Sequence, residues 1–164
     1  MIKCFEPIVD DNARLLILGS MPGKESLRQQ QYYAYKRNQF WKILFEVFQE
    51  DLTDNYTKKK ELLYRHHIGL WDVLKSCERE GSLDSNIRNE QVNDFKGFFS
   101  NYPSIKYVVF NGSKAISSFK KHVGFELLSN FEYYQLPSTS PANTKPYEEK
   151  IRQWKLIRDL IERS

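Results

Sequence analysis

Four short apolar runs divide the chain, and stretches with helical spacing lie between them. Leu15-Leu16-Ile17-Leu18 is continuously apolar, as a strand buried on both faces of a parallel sheet must be, and predicts a first strand over residues 14–18. Gly69-Leu70-Trp71-Asp72-Val73-Leu74 marks a second strand and its exit over residues 67–74. Residues 105–110, ending in Tyr107-Val108-Val109-Phe110, and residues 131–136 are the third and fourth. Phe40, Trp41, Leu44, Phe45, Val47 and Phe48 recur at helical spacing and predict a helix over residues 39–49. Leu62 and Leu63 mark a helix over 58–66, Val92, Phe95, Phe98 and Phe99 one over 91–101, and Ile116 and Phe119 one over 114–123. Tyr147, Ile151, Trp154 and Ile161 form the inner stripe of one last helix over 145–162. The polar remainder reads as a lead-in over 1–13, a loop with one helical turn over 23–36, and a loop over 78–89 broken at Gly81.

Strands that alternate with helices argue for an α/β fold, a four-stranded parallel sheet with helices on both faces. At 164 residues the chain is expected to form one domain, 1–164, around a single core. Four loops then converge at the carboxyl ends of the strands, where open α/β sheets place their ligands. They are residues 19–23, 71–74, 111–112 and 137–143. The first is bracketed by Gly19 and Gly23. It is not a phosphate-binding P-loop, since only three residues separate its glycines and Lys24 is followed by Glu25.

Composition narrows the function classes. The net charge of +4 is compatible with nucleic-acid binding without demanding it. Lys58-Lys59-Lys60 reads as a solvated helix face. No segment approaches the ~20 apolar residues of a membrane span, and the start of the chain lacks the apolar region of a signal peptide, so a cytoplasmic location is the default. Cys4 and Cys77 are too few for an iron–sulfur cluster. His66, His67 and His122 show no metal-ligand spacing. No cofactor and no metal are expected, and the chain is expected to act as a monomer.

Gly19-Ser20-Met21-Pro22-Gly23, followed by Asn38-Gln39-Phe40-Trp41-Lys42, resembles the first motif of the uracil-DNA glycosylase superfamily. Ser-Met in the loop, with Tyr32-Tyr33 ahead of the Asn, is most similar to the hypoxanthine-DNA glycosylases of family 6. Leu136-Pro137-Ser138-Thr139-Ser140-Pro141-Ala142-Asn143 resembles the second motif. The resemblance implies a three-layer α/β/α sandwich with a DNA-facing cleft. It also implies an enzyme that extrudes a deaminated base from DNA and hydrolyses its N-glycosidic bond, chiefly hypoxanthine from deoxyinosine. Two alternatives stand beside it: a uracil or mismatch glycosylase of the same fold, and a catalytically silent DNA-binding module.

The resemblance also assigns residues. In mismatch-specific relatives an Asn in the first loop positions the attacking water, and here that position is Met21, which cannot polarise water. In the hypoxanthine-specific relatives the Asn ahead of Phe-Trp carries activity, which maps to Asn38. An amide there can accept from water and donate to sugar or base; the same residue also fits a helix N-cap. Ser20 and Met21 would flank the base. Tyr32 or Tyr33 would stack on it, or serve as core. Asp72 stands where relatives read the base edge, and a carboxylate suits the N1–H of hypoxanthine or the N3–H of uracil; a capping or loop Asp is the plainer reading. Asn111 would contact base or opposite strand, or merely make an Asn-Gly turn. Pro137, Ser138, Thr139, Ser140 and Pro141 would form the DNA-binding loop, rigid through its prolines, with hydroxyls and main-chain N–H groups for phosphates. It contains no His, so the departing base must be stabilised by other donors.

Overall fold

The computed structural model describes residues 1–163. In chain order the strands are β1 (Ile2–Lys3), β2 (Leu15–Gly19), β3 (Ile68–Asp72), β4 (Leu74–Glu78), β5 (Arg88–Val92), β6 (Tyr107–Asn111) and β7 (Glu132–Leu136). The helices are α1 (Lys24–Gln29), α2 (Phe40–Val47), α3 (Tyr56–Arg65), α4 (Phe95–Asn101), α5 (Ser113–His122), α6 (Tyr147–Trp154) and α7 (Leu156–Arg163).

β2 is the reason the sheet forms where it does. Each of its residues is buried, and its two edges pair in parallel with β3 and β6, giving the order β3-β2-β6-β7. Because side chains alternate across a strand, β2 feeds two separate cores. Leu15 and Ile17 join Phe40, Trp41 and Leu44 of α2, Leu62 and Leu63 of α3, and Trp154 of α6. Leu16 and Leu18 join Phe95 and Phe98 of α4 and Phe119 of α5. The expected parallel four-stranded sheet between helix layers is therefore present.

Beyond that sheet the structure corrects the sequence reading in three places. The segment after β3 is not a simple loop: β4 and β5 form an antiparallel pair, and β1 from the lead-in adds to β4, making a second, three-stranded sheet β1-β4-β5. β5 reads Arg88-Asn89-Glu90-Gln91-Val92 and carries no apolar alternation. It is held by its ladder and by Glu90, which accepts from Lys114 and Ser118 on α5. The helix expected from residue 91 accordingly starts at Phe95, capped by Asp94, whose carboxylate accepts from the Gly97 N–H.

The expected last helix is two helices, separated at Lys155. The break rotates the buried stripe. Ile157 and Leu160 of α7 are fully buried beside Trp154, while Ile161 is only partly so. Truncating a buried leucine loses transfer energy and leaves a cavity, so Leu160→Ala is expected to cost ~2–5 kcal/mol. Ile161→Ala should cost clearly less. Urea unfolding of the two variants checks this, and equal losses would mean one continuous stripe runs through the break.

Candidate active site

Main-chain hydrogen bonds tie the strand ends together. The Val73 and Leu74 N–H groups donate to the Gly19 and Ser20 carbonyls, and Gly112 N–H donates to the Leu136 carbonyl. Gly19 lies in register with Asp72, and Asn111 with Leu136. The four loops thus meet at one sheet edge.

Gly19 is the floor of this meeting point. A Cβ there would lie 2.6 Å from the Tyr33 hydroxyl oxygen and 2.7 Å from Asp72 Oδ1. Only a residue without a side chain permits that approach, and its effect is to bring a phenol and a carboxyl together over bare backbone. Gly112 does a similar thing at the next strand end. Its φ is +92°, and a Cβ would come 3.0 Å from Cβ of Ser138, so the second-motif loop packs directly on it.

The two tyrosines are separated by the fold. Tyr32 is buried in the core, edge-on to Phe5, with its hydroxyl donating to the Glu6 carbonyl and its own carbonyl accepting from the Trp41 indole. Tyr33 has φ +53°, a conformation that non-glycine residues seldom adopt, and this turns its ring the other way. The ring stacks on Phe40 with centroids 4.0 Å apart, and its hydroxyl accepts from Asn111 Nδ2 at 3.1 Å.

Asn111 is more than a turn residue. Its Oδ1 accepts from the Thr139 N–H at 3.0 Å, and its Nδ2 also donates to Thr139 Oγ1 at 3.1 Å. Thr139, fully buried, then accepts on its carbonyl from the Gln39 N–H at 3.0 Å. A continuous polar chain therefore runs from Tyr33 through Asn111 and Thr139 to the start of α2. Pro137 is fixed from the other side, its carbonyl accepting from the Trp154 indole at 2.9 Å. Ser138, Ser140 and Pro141 remain half-buried at the rim.

Asn38 precedes α2 and is half-buried. Its Oδ1 accepts from the Phe40 N–H at 3.0 Å, an Asx turn that starts the helix. The N-cap of α2 is Gln39, which makes no side-chain cap bond, so Asn38 is not the cap but leads into it, and the turn uses the oxygen end of the amide.

Asp72 is the electrostatic feature of the site. It is 3% exposed, and its Oδ2 has no hydrogen-bond partner among the described residues. Burial pushes its pKa up to about 7; the Asp84 carboxylate adds to the rise and Arg79 opposes it. Burial, and then the nearby Asp72, likewise raise the Tyr33 phenol.

Sequence reading missed the connection between β4 and β5, which straps the first-motif loop. Ser20 Oγ donates to Asp84 Oδ1 at 2.7 Å, Lys24 N–H donates to Ser82 Oγ, and the Arg79 guanidinium donates to the Pro22 carbonyl. No periodicity marks these residues. The strap leaves Met21 no role at the surface: it is buried and packs with Leu18 and Val73 in the core below the sheet. Surface grooves of about 330 and 470 Å³ lie elsewhere, one beside Glu50 and Arg65, the other beside Met1 and Arg88.

Comparison with known proteins identifies the family. The profile of the Uracil DNA glycosylase superfamily matches residues 6–160. A protein of Methanosarcina acetivorans named hypoxanthine DNA glycosylase is 38% identical over 156 residues, 93% of this chain and 95% of that one. A protein of the same name from Methanosarcina barkeri is 38% identical over 151 residues, 92% and 93% of the two chains. The solution NMR structure of an M. acetivorans protein, provisionally described as a uracil DNA glycosylase, has a TM-score of 0.83 at 38% identity and covers 98% of each chain. The chain belongs to the uracil-DNA glycosylase superfamily.

Proposed function

We propose that this protein is a monofunctional DNA glycosylase that releases hypoxanthine from deoxyinosine and leaves an abasic site. It would act as a single-domain cytoplasmic monomer without a cofactor. The observation that carries the substrate class, a deaminated base with a ring N–H, is the orphan oxygen of Asp72, buried beside Tyr33 at the strand ends. The names of the two Methanosarcina relatives support the same substrate.

A buried carboxylate oxygen without a donor is costly. The N1–H of hypoxanthine is a donor of the right kind, set beside the O6 carbonyl. Adenine presents a lone pair at N1 instead, and a carboxylate would repel it. The same group can therefore accept the deaminated base and reject its parent. Tyr33 and Phe40 supply stacked aromatic faces beside it. The floor above Gly19 is filled by Tyr33 and Asp72, so the base must enter by displacing one of them; Tyr33, carried on a loop, would give up its bond from Asn111 to do so.

Hydrolysis breaks the bond from C1′ to N9. The electron pair leaves with the base, water adds its oxygen to C1′, and one water proton ends on the base. Asn38 is the group for this water: its Nδ2 can donate to the sugar or base while its Oδ1, released from the Asx turn, accepts from water. Main-chain N–H groups of the loops stand in for the missing His as donors to the departing base.

The first test uses duplexes bearing one inosine or one uracil, incubated with the protein and then cleaved at abasic sites with alkali. Breaks at inosine are expected. Breaks at uracil alone would make the chain a uracil glycosylase, and binding without breaks a silent module. Asn38→Ala should lower base release by roughly 10²-fold or more, while losing ~1 kcal/mol of stability with the turn, a shift of about 2–4 °C in Tm. Near-wild-type release by that variant would remove Asn38 from the chemistry.

Asp72 is expected to give two opposite pH dependences. As an acceptor it acts when ionised, so single-turnover release of hypoxanthine should rise as pH passes through about 7 and then level off. Its effect on folding runs the other way. The folded-state pKa lies above the ordinary value of 3.8, so the folded chain holds the proton longer, and stability falls as pH rises from about 4 to about 7. Asp72→Asn should match wild type in stability near pH 4 and exceed it at pH 8, by an amount on the order of 4 kcal/mol. It should also lose the pH step in activity. Thermal unfolding across that range checks the first, and an unaltered rate profile in Asp72→Asn would exclude the second.

A further inference from the structure

Lys150 is a lysine in the core. It lies on α6, is 2% exposed, and has no carboxylate within ion-pair reach among the described residues. Its ammonium instead donates to three neutral oxygens: Asn143 carbonyl at 2.9 Å, Gln39 Oε1 at 3.0 Å and Ser140 carbonyl at 3.4 Å. Burial lowers its pKa, with no charged partner to oppose the shift.

An ammonium is expensive to bury, and a hydrophobic side chain of similar length would pack there at less cost. What the charge does provide is direction. Two of its three acceptors are main-chain carbonyls of the loop between Pro137 and Asn143. The third belongs to Gln39, the residue after Asn38. One cation thus fastens the rim of the site to the start of α2. The Gln39 N–H bond to the Thr139 carbonyl runs between the same elements, and Asn143 Nδ2 braces the loop internally on the Ser138 carbonyl. Without Lys150, the Asn143 carbonyl would lose its side-chain partner and the Ser140 carbonyl would keep only the Asn143 N–H, so the far half of the loop would lose its tie to Gln39 while Pro137 and Thr139 stayed fixed.

We infer that Lys150 is a positioning residue: it holds the 138–143 loop in the shape that the protein presses against a duplex while a nucleotide is drawn out. The inference rests on the glycosylase reading above. It places Lys150 in the extrusion step, not in bond cleavage. Extrusion from a paired duplex costs unpairing and unstacking, and an unpaired nucleotide has already lost much of that cost. A loosened rim should therefore matter for paired substrate and much less for unpaired.

The test measures single-turnover release of hypoxanthine from the same deoxyinosine placed in a fully paired duplex and in an unpaired bubble flanked by the same duplex. Lys150→Met is expected to lose about 10- to 100-fold on the paired substrate and only a small factor on the bubble. Lys150→Arg should not restore the paired rate, because a planar fork cannot reproduce the three-way contact of an ammonium. Gln39→Ala, which removes one acceptor and leaves the cation in place, should show the same selectivity, more weakly, and keeps the inference testable should Lys150→Met fail to fold. Equal losses on the two substrates, or no loss, would overturn the role while leaving the glycosylase reading intact. A wild-type protein that releases nothing from either substrate would overturn both.

Discussion

The structure depends on one constraint, the burial of β2 on both faces and both edges. A strand so enclosed has no freedom of register. Every neighbour is fixed against it, and the ends of β3, β6 and β7 are brought level with Gly19. Catalytic geometry on loops needs such a frame, because loops position their side chains only as well as the elements that carry them. Here Gly19 itself completes the frame. The strand ends in a residue with no side chain, and the vacated space is filled by groups from two other segments, Tyr33 and Asp72.

The site departs from the rule that governs the rest of the molecule. Elsewhere most buried polar groups among the described residues are paired, His67 Nδ1 being an exception. Around the four loops a carboxyl lacks a donor, and an ammonium is satisfied only by neutral oxygens. Neither arrangement maximises stability. Both are intelligible as preparation. Asp72 holds an unpartnered buried oxygen, with a pKa raised to about 7; in the proposed function a donor from the base would restore what burial removed. Lys150 confers on a loop a shape that packing alone would not dictate. The polar chain from Tyr33 through Asn111 and Thr139 to Gln39 connects the two, so the base-facing and duplex-facing parts of the site share one scaffold.

The layered sheet was legible in the sequence because a buried parallel strand announces itself by continuous apolar residues, and Leu15-Leu16-Ile17-Leu18 and Tyr107-Val108-Val109-Phe110 do so without ambiguity. β5 was not legible. Its residues are polar, and it is a strand only because β4 lies beside it. Tyr32 and Tyr33 could not be told apart for a related reason. What separates them is the sign of one backbone φ, which decides whether a ring points to core or site, and adjacent identical residues carry no trace of it. Asp84 and Lys150 were invisible as well, one a loop carboxylate whose distance to Ser20 is set by strand pairing, the other a lysine that sequence alone places at the surface.

Met21 was legible as a departure but not as a consequence. Its side chain packs below the sheet with Leu18 and Val73, so the first-motif loop is anchored by an apolar residue where an amide would face the substrate. That anchoring works together with the strap from Arg79, Ser82 and Asp84, which holds the same loop from outside. A loop held on both sides cannot also hold water through its second residue. In the proposed reaction the water would then be managed by a group across the site, and the start of α2 offers Asn38, next to Gln39 at the end of the polar chain from Tyr33. Relocating the amide from loop to helix end leaves its chemistry unchanged but ties it to the duplex-facing loop through Gln39, Thr139 and Lys150. In the proposed mechanism, seating the loop on DNA and aligning the amide would then be parts of one movement, which would give the buried cation at that joint its purpose.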